Sequence, residues 1–222
     1  HSAAYTNVDG CEDNIELAYK INGYGTRNVA VACHECDAKL VYISTDFVFN
    51  GEKKEPYIEF DKTDPLNVYG KSKLAGEDFV RNLTNKYFIV RTAWLYGKHG
   101  GNFVKTMLKL AREKETLTVV EDQLGTPTYT KDLVGAIEHL IESNLYGVYH
   151  ASNTGECSWY QFAQKIFEYT NTQIQLEPTT SENFIRPAVR PKYSVLNNFS
   201  LEINLKYKMR NWKDALQDYL LS

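Results

Sequence analysis

Tyr69 and Lys73 stand four residues apart in VYGKSKLAGEDF, the stretch from Val68 to Phe79. A helix there puts phenol and ammonium one turn apart on one face. A free phenol titrates near 10, and an ammonium a few ångströms away favours phenolate and eases proton exchange. With sixteen tyrosines and eighteen lysines in 222 residues, chance alone supplies about one Tyr-x-x-x-Lys, so the pair needs support from its surroundings. Upstream, the apolar run KLVYIS ends at Ser44 and is followed by Thr45, and either hydroxyl would hydrogen-bond and align a substrate oxygen. Hydroxyl, phenol and ammonium together suit a carbonyl whose carbon receives hydride while its oxygen receives a proton.

The elements around these residues must bring them to one place. KLVYIS, Lys39 to Ser44, is short, β-branched and bounded by polar residues, and reads as a buried parallel strand. The polar segment TDFVFNGEKKEPYIEFDKTDP that follows is too long for a simple turn, and loops of that length commonly carry function. Pro65 marks the start of a helix over about Leu66–Leu83, and YFIVRTAWLYG from Tyr87 is a second buried strand. Strand, loop, helix, strand is a βαβ crossover and predicts a parallel α/β sheet. Ligands bind at the carboxyl ends of such strands, which points to the loops after Ser44 and after Arg91. Before this unit, Asn14–His34 carries a helical stripe weakened at Gly23 and Gly25. After it, helices are expected at Asn102–Glu113, Lys131–Glu142, Trp159–Tyr169 and around Trp212–Leu221. Strands are expected at Leu117–Val120 and Gly147–Ser152, and RPAVRPKYSVL is irregular.

Composition narrows the partners. Net charge is −3 with scattered basic residues, which leaves no electrostatic footprint for nucleic acid or an anionic membrane. No apolar run reaches the length of a membrane span. A small molecule or a second copy of the chain is the expected partner. Four cysteines do not form a disulfide framework, which suits a reducing cytoplasm. Cys33 and Cys36 make a C-x-x-C without a second ligand pair, and the five histidines lack H-x-x-x-H spacing, so no metal site is assigned.

STDFVFNG, NVYGKSKLAGE and VRTAWLYG, in that order, resemble the extended short-chain dehydrogenase/reductases. Within them the chain is similar to the dTDP-4-dehydrorhamnose reductases, from AAYTNVD through GNFVKTM and DQLGTPTYTKDL to RPAVRPKYSVL. The resemblance implies a Rossmann-like doubly wound parallel sheet, with its N-terminal part missing, over residues 1–98. It implies a smaller α/β substrate-binding region over 99–222, from which a segment near 130–152 returns to the sheet. It also implies that a reduced nicotinamide, NADPH or NADH, gives hydride to the C4 ketone of dTDP-4-dehydrorhamnose, with Thr45, Tyr69 and Lys73 as the catalytic trio and Tyr69 as proton donor. Cofactor contacts are expected from Ala3, Ala4, Tyr5, Ser44, Tyr69, Lys73 and Thr92. Substrate contacts are expected from Thr45, Asp46, Phe47, Trp94, Asn102, Arg186 and Arg190, the arginines because guanidinium binds phosphate bidentately. Members of the family often dimerise, in some cases with Mg2+ at the contact.

The chain departs from the pattern at its start: the family's Gly-rich, pyrophosphate-binding βαβ opening has no counterpart here. The expectation is a missing leading segment of several dozen residues, weak cofactor binding by this chain alone, and no readable choice between NADH and NADPH. Two other enzymes of the same fold are rivals. A 4,6-dehydratase wants a second acid where Phe47 stands, and a phenyl ring cannot carry a proton; a 4-epimerase is less firmly opposed. A reductase-like regulatory subunit, of the kind that accompanies methionine adenosyltransferase, is a third reading, against which the intact Tyr69 and Lys73 weigh.

Overall fold

The computed structural model describes residues 1–222. The chain opens along the edge of the first strand and then coils through α1 (Val8–Asp13), α2 (Ile15–Ala18), a π-helical stretch (Tyr19–Gly25) and α3 (Thr26–Glu35). The single stripe expected from Asn14 to His34 is therefore broken. Gly23 and Gly25 fall in the widened turns, which carry the Asn22 side chain inward. There its amide accepts from Tyr5 N at 2.7 Å and donates to Tyr5 O at 3.2 Å and Ser72 Oγ at 2.9 Å, fixing the opening segment.

β1 (Leu40–Thr45), α4 (Val68–Leu83) and β2 (Tyr87–Thr92) form the expected βαβ unit. α4 starts behind Pro65 with Asn67 as N-cap, its Oδ1 accepting from Gly70 N at 2.8 Å. Two glycines let this helix lie close. A Cβ on Gly70 would run into the Phe47 carbonyl, and one on Gly76 into the Tyr42 hydroxyl and the Asn22 carbonyl.

Beyond β2 come β3 (Leu95–Tyr96), α5 (Phe103–Glu113), β4 (Thr116–Val120), β5 (Leu124–Gly125), β6 (Thr128–Tyr129) and α6 (Thr130–Glu142). They are followed by β7 (Gly147–His150), β8 (Cys157–Ser158), α7 (Trp159–Tyr169), β9 (Gln175–Thr179), α8 (Phe199–Leu205) and α9 (Trp212–Leu221). The strand expected to run from Tyr87 to Gly97 stops at Thr92. Trp94 takes a left-handed φ of 46°, turning the chain so that β3 pairs with β6 instead. β9 and α8 were not expected. QLEPT carries a proline and is mostly exposed, held in place by parallel pairing with β4.

The central sheet runs β1-β2-β7, all parallel, with Thr45 opposite Thr92 and Arg91 opposite His150. Alternation decides its faces. Leu40, Tyr42 and Ile89 pack with Ala30 and Val80 under α3 and α4, while Phe88 and Val90 pack with Leu133, Leu140 and Leu201 under α6 and α8. Helices on both faces of a parallel sheet make the doubly wound α/β class expected from the sequence. A separate apolar cluster joins α5, α7 and α9 to β4 around Phe162, Ile166 and Trp212. No helix is long and apolar enough to cross a membrane.

Candidate active site

The carboxyl ends of β1 and β2 bring the predicted hydroxyls together. Thr45 is 6% exposed, accepts from Phe47 N at 3.2 Å and donates to Asp46 Oδ1 at 3.0 Å, so it caps the tight turn Asp46–Val48. Thr92, its register partner, is also buried, and its Oγ1 has no partner within the protein. Tyr69, in the first turn of α4, sets its ring edge-on to Phe47 at 5.8 Å, with the Thr45 side chain near its hydroxyl. Burial pushes the phenol above its usual range, Thr45 pulls it down, and the Asp46 and Cys11 side chains push it up.

Lys73 lies one turn further on, 3% exposed. Its ammonium donates to the Ile43 carbonyl at 2.6 Å and sits 4.1 Å over the Tyr42 ring. Burial lowers its pKa to about 8, against the pull of Glu77. Burial outweighs the other influences on the phenol, which stays protonated, and the Lys73 ammonium is bonded to the strand carbonyl rather than to Tyr69.

Past Phe47, whose ring meets Tyr69, opens a cavity of ≈ 570 Å³ lined by Phe47, Trp94, Trp159, Arg186, Arg190 and Ser194 among others, but not by Thr45, Tyr69 or Lys73 themselves. Trp94 and Trp159 stack at 3.5 Å, 9° from parallel. Gly125 makes room for Trp94, since a Cβ there would enter the indole. Arg190 forms a fork on Asp9 of α1, both bonds 3.0 Å, and also donates to the Ala188 carbonyl at 2.9 Å. Arg186 stands 3.7 Å from the same carboxylate and is half exposed. Asp46 is 2% exposed, not on the cavity wall but behind it; burial pushes its carboxyl up to about 6, opposed by the nearby Ser194 hydroxyl and by the Thr45 hydrogen bond.

Two of the expected contact residues have side chains bonded within the protein. Ser44 was expected at the cofactor, but its hydroxyl donates to the buried Glu77 at 2.6 Å. Asn102 was expected at the substrate; it caps α5, accepting from Lys105 N at 3.1 Å and donating to the Gly97 carbonyl at 2.8 Å, which leaves one amide N–H and one oxygen lone pair. Ala3, Ala4 and Tyr5 leave the edge of β1, where His1 pairs with Val41 and Ile43, and so pass its carboxyl end. Sequence reasoning missed Asp9, Ser194 and Trp159. Trp159 opens α7 behind a Ser158/Gln161 capping box and reads there as helix core. No three His, Cys, Asp or Glu side chains cluster as a metal site, so Mg2+ enters no step below.

Comparison with known proteins gives the same picture along the whole chain. The family model described as RmlD substrate binding domain matches residues 1–222. The spore coat polysaccharide biosynthesis protein SpsK of Bacillus subtilis (strain 168) is 46% identical over 220 residues, 99% of this chain and 77% of that protein. The dTDP-4-dehydrorhamnose reductase of Mycolicibacterium smegmatis is 42% identical over 221 residues, 97% of this chain and 67% of that one. A crystal structure of dTDP-4-dehydrorhamnose reductase from Bacillus anthracis str. Ames, in complex with NADP, superposes with a TM-score of 0.97 at 53% identity, covering 99% of this chain and 78% of that one. With that match over its full length and relatives well above 30% identity, the chain belongs to the RmlD substrate-binding-domain family.

Proposed function

We propose that this protein reduces the C4 ketone of dTDP-4-dehydrorhamnose, in dTDP-rhamnose biosynthesis, using NADPH. The observation that carries the reading is the convergence of Thr45, Tyr69 and Lys73 at the carboxyl end of β1, beside a cavity with an aromatic wall and two arginines. A reduced nicotinamide supplies hydride. The residues at the strand ends fit such a cofactor: Thr92 Oγ1 is buried and unpartnered, and Lys73 and the Ala3–Tyr5 segment flank the same edge. Tyr69, held protonated by burial, donates its proton to the ketone oxygen as the carbon is reduced. Thr45 aligns that oxygen, and the Lys73 charge steadies the phenolate left behind until it regains a proton. Arg186 and Arg190 hold the diphosphate, and Trp94 and Trp159 face the nucleotide sugar. Phe47 covers Tyr69 with an apolar ring, which favours reduction over dehydration, where a second proton carrier is needed at that position.

We read residues 1–98 with 130–152 as the cofactor-facing part and the rest of 99–222 as the substrate-facing part. Four free cysteines support a reducing, cytoplasmic setting, and the exposed Ile15, Leu17 and Tyr24 support pairing of two copies, which sedimentation would test.

The experiment supplies the full-length protein with dTDP-4-dehydrorhamnose and NADPH or NADH and follows loss of reduced-nicotinamide absorbance. Turnover of another ketose but not this one overturns the substrate assignment. Tyr69→Phe is expected to lower kcat by about 10²–10⁴-fold with cofactor affinity nearly unchanged; equal loss of both would make the phenol structural.

A further inference from the structure

Behind Lys73 the fold buries a charge cluster that no step above uses. Glu77 lies one turn beyond Lys73 on the sheet-facing side of α4 and has no exposed surface. Its Oε1 accepts from Ser44 Oγ at 2.6 Å and Arg91 Nε at 2.9 Å, and its Oε2 from Arg91 at 2.7 Å and Arg81 at 2.8 Å. Arg91, 1% exposed, spans from β2, packs over Phe49 at 5.2 Å and reaches to 3.5 Å from His150 Nε2 on β7. His150 Nδ1 faces the Tyr57 and Asn197 carbonyls at 3.0 and 3.1 Å, so that nitrogen carries the proton and Nε2 accepts from Arg91. One carboxylate thus closes α4, β1 and β2 on each other, and β7 through His150.

A buried ion pair is weak evidence for stability, since apolar residues of similar volume commonly serve as well. What the carboxylate faces gives a better reason for it. Lys73 is buried one turn before it on the same helix, its ammonium on the Ile43 carbonyl rather than on the carboxylate, and the Glu77 charge favours that ammonium. The other charged or titratable groups facing the pair are the His1 amino group, the Tyr42 and Tyr69 phenols, Arg81 and Arg91, none of them a carboxylate. Ser44, bonded to Glu77, is the residue before Thr45.

We propose that Glu77 is a positioning residue of this site: it carries the buried negative charge that keeps Lys73 an ammonium, and through Ser44 it clamps the strand end that presents Thr45. The proposal rests on the reductase reading for its use but is testable without turnover. Glu77→Gln removes the charge and strands Arg91, so it is paired with the double variant Glu77→Gln/Arg91→Met, in which both charges leave together, and with Glu77→Asp, which keeps the charge. Lys73 is followed against pH by NMR in protein labelled with 13Cε-lysine, its signal assigned with Lys73→Arg.

The titration midpoint, which burial holds below the ordinary lysine value, is expected to fall further in Glu77→Gln, to fall less in the double variant, where the Arg91 repulsion leaves with the carboxylate, and to recover most of the way in Glu77→Asp. The alkaline limb of kcat/KM should move with it, at near-constant KM for the ketose. An unchanged midpoint in folded Glu77→Gln overturns the proposal, as does a Glu77→Asp midpoint no higher than that of Glu77→Gln. A shifted midpoint with no turnover in the unaltered protein would sink the reductase reading and leave the Glu77–Lys73 relation standing.

Discussion

Asp46 shows how much one side chain costs the fold to serve the site. Its carboxyl is 2% exposed, Oδ2 has no protein partner at hydrogen-bond geometry, and burial raises its pKa to about 6. Because the folded value lies above the unfolded one, the associated stability is present at low pH and lost as pH rises through 6. Ionised Asp46 therefore costs about 3 kcal/mol if the whole shift is realised. Asp46→Asn is expected to raise the urea midpoint at pH 8 and to change it little at pH 4. Equal gains at both would show that the charge is not the source. Sequence showed the strand-end Thr45-Asp46-Phe47 but not this burden, because burial is set by packing from other parts of the chain; Ser194, a neighbour that opposes the shift, lies almost 150 residues on.

Among the elements, α4 works as the bracket of the site. Its capping residue Asn67 accepts from Gly70 N and also donates to the Val189 carbonyl at 2.7 Å, and Glu12 Oε1 accepts from Val68 N at 2.8 Å. The start of the catalytic helix is thereby tied to α1 and to the arginine segment. Asn67→Ala loses the cap and strands Val189 O, and we expect a loss of about 1–2 kcal/mol in denaturant unfolding, with weaker nucleotide binding in the same protein. Loss of stability at unchanged nucleotide affinity would confine Asn67 to helix capping. The helix itself was legible from Pro65 and its apolar stripe. Its second attachment was not, because a carbonyl 122 residues away leaves no trace in a local pattern.

Over the whole molecule, Asp9 ties α1, early in the chain, to the arginine segment that lines the cavity. Asp9 and Ala188 occupy three of Arg190's five N–H bonds, leaving two for a ligand, while Arg186 is freer. The Arg190 guanidinium holds the Asp9 carboxyl below the usual carboxylate range, so the pair stays ionised at neutral pH. Arg190→Ala is expected to weaken dTDP binding about 10–100-fold, read by quenching of tryptophan fluorescence from the Trp94–Trp159 stack. Unchanged affinity would remove Arg190 from the diphosphate site.

By itself the sequence determined the βαβ unit, the parallel sheet and the order Thr45, Tyr69, Lys73, because strand and helix periodicity and the spacing of residues within one turn are local properties. Only the tertiary structure decided which polar atoms were already spoken for. Ser44 is committed to Glu77, Asn102 to its helix, Arg190 to Asp9, and Lys73 to the Ile43 carbonyl. A side chain's charge state and free hydrogen bonds are set by burial and by partners that the chain brings in from tens to nearly two hundred residues away, and no window of sequence contains them.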